Sequence, residues 1–436
     1  MLVEMTDRRY EKVVRSVRTA WSLRWGHHEP SGAPLVTKKT GMLVLSLLIV
    51  FTGLGAGAAH AYTPETGGRF NDPAGDREAV NRSMVHIRKS IESAERGSVI
   101  RIATYSHSRA DITNALIDAC KNRNVSIQMV INDNFISKTT QRLRRVLGSN
   151  IDPHYKDACH PRSREKGEEK HPEPSYLKVC YQSCRKGAGN QHMKFYLFSD
   201  TGQARDVVMV GSTNISRYAA RTHFNDLFTQ ANRSGMFRDY SFIHRQLAED
   251  KRVKKVYRKF VNGDLVTEFG AVVARGPKDP VAKRLAKVSC AGGTQIRITM
   301  YAWVGDRGRF LARRVADLSR KGCNIKAILS GPSKDVKRIL KAGGVAIRSA
   351  DMDLDNNTET GFGETAWERF THEKWMSVDG TWAGQQRKIV WTGSENWSGL
   401  SFLNDEVTIM IPRAEVWQQY DSHFDFVWNF RTRAYG

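Results

Sequence analysis

Two stretches of this 436-residue chain carry the same arrangement of chemically active residues, which constrains it to fold as two related units. The first reads His192-Met193-Lys194, continues through Phe195-Tyr196-Leu197-Phe198 and Val207-Val208-Met209-Val210, and closes on Gly211-Ser212-Thr213-Asn214. The second reads His372-Glu373-Lys374, continues through Lys388-Ile389-Val390-Trp391, and closes on Gly393-Ser394-Glu395-Asn396. His192 to Asn214 spans 22 positions and His372 to Asn396 spans 24. A lone His or Lys at a strand end is ordinarily solvated or a satisfied core group. Two copies in one order at nearly one spacing point instead to a site.

The scaffold repeats with the motifs. Val80, Met84, Ile87 and Ile91 are spaced as one helix face, and Gly97 ends that helix. A buried strand over 98–105, a helix containing Ile112, Leu116 and Ile117, and a strand over 127–131 follow. In the second half Arg297-Ile298-Thr299-Met300-Tyr301 matches Arg101-Ile102-Ala103-Thr104-Tyr105, and a helix with Leu311, Val315 and Leu318 leads to a strand over 325–329. The order β–α–β favours parallel pairing with right-handed crossovers. The expected fold is α/β and internally duplicated, with halves over 62–262 and 263–436.

Alternation along a strand puts His192 and Lys194 on one face, and His372 and Lys374 likewise. If the halves pack face to face, one pocket holds two His, two Lys and two Asn. The ammonium and amide groups donate to the oxygens of a phosphorus centre that gains charge in its transition state. One neutral imidazole can attack phosphorus, while the other, protonated, serves the leaving alkoxide. Such a site needs no metal and no cofactor.

These residues resemble the phospholipase D superfamily, whose duplicated H-x-K-x-x-x-x-D signature is followed by G-S-x-N. The resemblance covers most of the chain after about residue 62. It implies two α/β/α sandwich halves about a pseudo-twofold axis, a metal-free site at the seam and a phosphohistidine intermediate. It makes His192 the nucleophile and His372 the general acid, with Lys194, Lys374, Asn214 and Asn396 around the phosphate and Asp379 completing the second motif. Ser212 and Ser394 belong to the supporting set. In the first copy Ser199 stands where the Asp is expected and Asp200 comes one place later, so Asp200 needs a bulge to be re-aimed. An acid after G-S-x-N holds the histidine ring in relatives, a role that carries over to Asp226 and Glu406.

Hydrophobic content of 40% and charged content of 26% are those of a globular protein, whereas a formal charge of +23 is not ordinary. Lys38 and Lys39, an apolar run from Met42 to about Leu54 and the sequence Ala59-His60-Ala61 form a signal-peptide pattern, so residues 1–61 are expected to be removed after Ala61 and the chain secreted. An uncleaved anchor is the alternative. The remaining +19 suits a polyanionic partner, whether an anionic membrane surface or nucleic acid. All six cysteines lie beyond Ala61, as expected of disulfides in an exported chain, with Cys290 and Cys323 placed to pair across neighbouring parallel strands. Cys180-x-x-x-Cys184 reads as a disulfide rather than a metal half-site.

Two insertions, 151–190 and 351–370, form the expected rims of the pocket and mix apolar with charged residues. The first holds Tyr155, Tyr176, Leu177, Val179 and Tyr181 beside several Lys and Glu; the second holds Met352, Leu354, Phe362, Trp367 and Phe370. Apolar rims favour a monomeric, secreted phospholipase D-type hydrolase acting on phospholipids. Alternatives are a secreted nuclease built on the same site, a non-catalytic anionic-surface binding protein and a membrane-anchored synthase.

Overall fold

Buried strands flanked by helices set the architecture of the computed structural model, which describes residues 61–152, 173–270, 276–352 and 368–435. The expected signal peptide, the middle of the first insertion with His154, His160 and His171, and most of the second with Trp367 lie outside the described residues. Along the first half run β1 (Gly67–Phe70), α1 (Arg77–Glu92), β2 (Val99–Thr104), α2 (Ala110–Arg123), β3 (Ser126–Asn132), α3 (Lys138–Leu147), β4 (Tyr176–Cys180), β5 (Phe195–Thr201), β6 (Ala204–Gly211), α4 (Arg217–Thr222), β7 (His223–Phe224), β8 (Asp226–Gln230) and α5 (Ser234–Glu249). The second half has β9 (Arg258–Asn262), β10 (Leu265–Phe269), α6 (Pro280–Leu285), β11 (Gln295–Trp303), α7 (Gly305–Arg320), β12 (Asn324–Pro332), α8 (Lys334–Ala342), β13 (Ala346–Ser349), β14 (Phe370–Thr371), β15 (Lys374–Trp382), β16 (Gln385–Gly393), β17 (Val407–Ile411), α9 (Ala414–Phe430) and β18 (Arg433–Ala434).

The first sheet has the order β1-β8-β6-β5-β2-β3-β4, and the second β18-β13-β12-β11-β15-β16-β17-β10-β9. In each half the β–α–β unit pairs in parallel, β2 with β3 and β11 with β12, as the sequence order predicts. The motif strands then add antiparallel: β5 beside β2 and β6, β15 beside β11 and β16. The duplication is therefore one of topology as well as sequence.

Strand periodicity sends alternate side chains into different cores. On β5, Phe195 and Leu197 face the seam between the sheets, while Tyr196 and Phe198 pack under α1 and α2. The seam core also takes Val390 and Ile409 from the second sheet, and α5 and α9 close it with Tyr240, Trp417 and Phe424. A third core packs α6, α7 and α8 on the outer face of the second sheet through Leu311, Val315 and Leu340.

Two expected disulfides are present. Cys290–Cys323 joins the approaches to β11 and β12 with Cα atoms 4.7 Å apart, and Cys180 is bonded to Cys184. At the C-terminal ends of β6 and β16, Gly211 and Gly393 sit where the chain turns into Ser-x-Asn. A Cβ on Gly393 would lie 2.0 Å from the carbonyl oxygen of Val407, with φ at +152°, and one on Gly211 would lie 2.4 Å from that of Asp226. Only glycine lets the turn approach the neighbouring strand this closely.

Two stability measurements follow. Replacing Cys290 and Cys323 by Ser opens a crosslink of sequence separation 33, expected to lower unfolding stability by about 3–4 kcal/mol in urea titrations. Gly393→Ala combines backbone strain with overlap and should lose roughly 3 kcal/mol or more. An unchanged urea midpoint would show that the turn relaxes freely.

Candidate active site

Each histidine is held by the opposite half. The His192 amide donates to the Asp405 carbonyl at 3.0 Å, and its Nδ1 lies 3.0 Å from both carboxylate oxygens of Glu406. The His372 amide donates to the Phe224 carbonyl at 2.9 Å, and its Nδ1 faces Asn225 Oδ1 at 3.1 Å. The parallel β7–β14 pair (Phe370↔His223, Thr371↔Phe224) and its counterpart, the bridge Gln191↔Asp405, make these crossings.

Both lysines turn back on their own motif, Lys194 Nζ to the His192 carbonyl and Lys374 Nζ to that of His372. They are buried, 0% and 3% exposed, and lie over Tyr105 and Tyr301 at 5.4 and 5.1 Å from the ring centroids. Burial pushes Lys194 down to about 7; burial and then the Lys194 charge push Lys374 well below its ordinary value. Asn214 Oδ1 accepts from the amides of Tyr105 and Ser106 at 3.1 and 3.3 Å, and Asn396 Oδ1 from Ala302 at 3.2 Å. These bonds tie each G-S-x-N turn to the end of the adjacent parallel strand. With the oxygens so used, the Nδ2 donors remain for a ligand.

The serines lock the acceptors. Ser394 Oγ donates to Glu406 Oε2 at 2.5 Å and accepts from the Val407 amide at 3.0 Å; Asn404 Nδ2 donates to Glu406 Oε1 at 2.9 Å. Ser212 Oγ accepts from the Asp226 amide at 3.0 Å. Asn225 Nδ2 donates to the carbonyls of Ala219 and His223 at 3.0 and 3.2 Å, which turns Oδ1 toward His372. Burial would raise Glu406, but His192, Lys194 and Ser394 hold it below the usual carboxylate value.

Nδ1–H of each imidazole thus donates to its acceptor, and the neutral ring keeps its lone pair at Nε2. Burial lowers His192 to about 4 despite Glu406, and burial with Lys374 lowers His372 well below its ordinary value. The two imidazoles differ at Nδ1: one faces a carboxylate and the other a neutral amide.

The geometry corrects three expectations. Asp226 does not hold a histidine; its Oδ2 accepts from the hydroxyls of Thr392 and Tyr420 beneath the site, and its neighbour Asn225 contacts His372. The hydrogen bonds to Ser212 and Ser394 show why: Asp226 corresponds to Val407 and Asn225 to Glu406. Asp379 is not in the site. It lies five residues along an extended strand from Lys374, roughly 17 Å on, and pairs with Lys388 at 3.2 Å. Asp200 occupies the matching far end of the first hairpin and pairs with Arg205 at 3.5 Å. The β5–β6 register runs from Phe198↔Val207 to Asp200↔Arg205 without an extra residue, so no bulge re-aims it.

Four site residues escaped the sequence reading. Tyr105 and Tyr301 were visible as the repeated Arg-Ile-x-x-Tyr but were read only as strand; their rings lie 5.3 and 5.2 Å from His192 and His372. Asn225 carries no motif signal of its own and precedes the acid that the resemblance implicates. His223 stacks on His372 with centroids 4.6 Å apart and planes at 20°, and it occupies the place that Asn404 fills in the other half. Phe370 is buried against Tyr301 and His223 rather than lining a rim.

Comparison with known proteins supports the duplicated fold. The family model described as "Cardiolipin synthase, PLD-like domain" matches residues 87–236 and 286–428. Among solved structures, the phosphatidylserine synthase of Haemophilus influenzae Rd KW20 superposes with a TM-score of 0.50 at 11% identity, covering 82% of this chain and 86% of that one. The polyphosphate kinase of Porphyromonas gingivalis gives 0.48 at 11% identity and covers 83% of this chain; this chain spans 50% of that protein's length. Nuc of Salmonella typhimurium, a phospholipase D family member, gives 0.28 at 16% identity over 39% of this chain and 98% of its own. No curated protein matches the sequence. At these identities the likeness is one of fold.

Asn225→Asp would put a carboxylate against His372 Nδ1, and the imidazole pKa should rise, because an opposite charge in contact favours the protonated ring. Side-chain NMR titration of His372 reads the shift. A pKa unchanged or lowered would show that Asn225 does not set this ring's charge.

Proposed function

The chain belongs to the phospholipase D superfamily through its two PLD-like segments, and from that membership we propose that it is a secreted phosphodiesterase cleaving phospholipids to phosphatidic acid and a free alcohol through a phosphohistidine. The observation that carries this reading is the unequal pairing of two otherwise equivalent histidines, His192 on Glu406 and His372 on Asn225. A carboxylate at Nδ1 stabilises the positive charge that an imidazole gains when its Nε2 lone pair bonds phosphorus. A neutral amide orients a ring without weakening it as an acid.

In the first step His192 Nε2 attacks phosphorus and the P–O bond to the leaving alcohol breaks. His372, protonated at Nε2, gives its proton to the departing oxygen. In the second step neutral His372 takes a proton from water, whose oxygen displaces His192 from phosphorus and restores both rings. An alcohol in place of water gives transphosphatidylation. Lys194, Lys374 and the amides of Asn214 and Asn396 hold the non-bridging oxygens. The substrate's negative charge offsets the two ammonium groups, so His372 holds its proton when substrate is bound though not in the empty site.

Tyr181, 70% exposed, supports lipid over nucleic acid, whereas Tyr176, Leu177 and Phe370 of the expected rims are buried; the pattern from Lys38 to Ala61 supports export. Phosphatidylcholine vesicles and single- and double-stranded DNA should be assayed side by side, with His192→Ala as control. The expected outcome is release of phosphatidic acid that the substitution abolishes. DNA cleavage lost in the same variant, with no lipid product, would replace the lipase by a nuclease. Protein recovered from the culture medium should begin at Tyr62; protein confined to the cytoplasm would rule out export.

The pH dependence has a defined sign. With a diester whose leaving group needs no proton, phosphoenzyme formation requires only neutral His192. At substrate concentrations well below KM the rate reports the empty site, so it should hold down to mildly acidic pH and fall as the pH drops through about 4. His372→Ala should retain this burst and lose turnover of alkoxide-leaving substrates by about 10²–10⁴-fold. Phosphate trapped on residue 372 in the wild-type chain would reverse the two roles.

A further inference from the structure

The nine residues from Lys251 to Lys259 carry six cations (Lys251, Arg252, Lys254, Lys255, Arg258 and Lys259) and no carboxylate. Lys251, Arg252, Lys254, Lys255 and Lys259 are exposed. The segment is fixed to the chain that leads into His192. The Val253 amide donates to the Arg185 carbonyl at 3.0 Å, and Arg185, fully buried, donates to the Val256 carbonyl at 2.6 Å with the Asp405 carboxylate 4.0 Å away. The Arg252 guanidinium lies over Gly187, where a Cβ would meet it at 2.7 Å.

Residues 181–190, held in this way, are bordered by two exposed apolar side chains. Tyr181, 70% exposed, begins the loop, and Leu403, 47% exposed, packs its backbone on Gly189 one residue before the Asn404 that holds Glu406. The carboxylates facing this region are Asp133, 3.2 Å from the Gln182 amide, Asp250, 3.5 Å from the Tyr181 amide, and Glu268, which pairs across the β9–β10 ladder with Lys259 and accepts from the Tyr257 hydroxyl at 2.6 Å. A solvated charge run explains neither the apolar pair nor its seat beside the His192–Glu406 contact.

We propose that residues 251–259, with Tyr181 and Leu403, form a docking surface for an anionic phospholipid bilayer, holding the loop that enters the site against the membrane. The proposal rests on the lipid reading above and adds where the interface lies. Basic side chains near an anionic leaflet are attracted additively, and an aromatic and an aliphatic side chain beside them enter the headgroup layer. A nucleic-acid track needs successive flat faces for bases, which Leu403 does not offer.

The test uses the full chain carrying His192→Ala, so binding is read without turnover. Co-sedimentation is measured with phosphatidylcholine vesicles, with and without phosphatidylserine. Binding should require phosphatidylserine, weaken as salt rises, and fall at least about 100-fold in Lys251→Glu/Lys254→Glu/Lys255→Glu. Tyr181→Ser/Leu403→Ser should remove the binding that survives at high salt. In the otherwise wild-type chain the triple variant should turn over a soluble diester at the parental rate, which reports an intact fold and site. Vesicle binding unchanged in the triple variant would overturn the proposal. So would a surface that takes a single-stranded oligonucleotide, loses it in the triple variant and ignores vesicles. Charge-dependent vesicle binding without any lipid cleavage by the active chain would uphold the surface and refute the phospholipase instead.

Discussion

The site depends on a crossing of backbone and side chain at the seam between the halves. Each histidine hangs by its amide from a carbonyl of the other half and by its Nδ1 from the side chain of the very next residue, Asp405 then Glu406 for His192 and Phe224 then Asn225 for His372. Neither half alone fixes a ring. Separating the sheets would free four hydrogen bonds and expose the seam core that α5 and α9 close. Packing of the halves and assembly of the site are therefore one event, with hydrophobic burial as the driving force and the polar bonds setting register.

The same seam makes the empty pocket electrostatically unbalanced. Two ammonium groups and two imidazoles are buried among the described residues with Glu406 as the carboxylate in contact with them, and burial lowers every one of the four basic groups. Taking such groups out of water is unfavourable unless an anion joins them. A phosphate diester of the kind proposed would supply that charge, and its oxygens would meet donors already oriented by Tyr105, Ser106 and Ala302. Donors fixed before binding need no reorganisation in the transition state.

Duplication supplied two equal motifs, and small local differences give their histidines unlike partners. Asn404 and Glu406 in one half stand where His223 and Asn225 stand in the other. The first pair builds a carboxylate network through Ser394; the second builds an amide acceptor with a stacked imidazole beside it. An exchange of one carboxylate for an amide is enough to separate a ring suited to hold positive charge from one suited to give up a proton.

The duplicated α/β fold, the parallel β–α–β units, the Cys290–Cys323 pairing, and the His, Lys and Asn of both motifs are legible along the chain. All of these follow from periodicities and repeats that recur along the chain. The partners of those residues emerge only when the two halves pack. The resemblance implicates the acid Asp226, yet the Ser212 and Ser394 hydrogen bonds set the register so that Asn225, one residue away, meets the ring. Asp379 and Asp200 stand in or near the motif but point away at the far ends of their hairpins, because an extended chain carries five residues well beyond hydrogen-bonding reach. His223 and the two tyrosines reach the site only through the pairing of strands distant in sequence. Local pattern fixes which residues share a strand face, whereas contacts across a seam depend on a packing that no local pattern encodes.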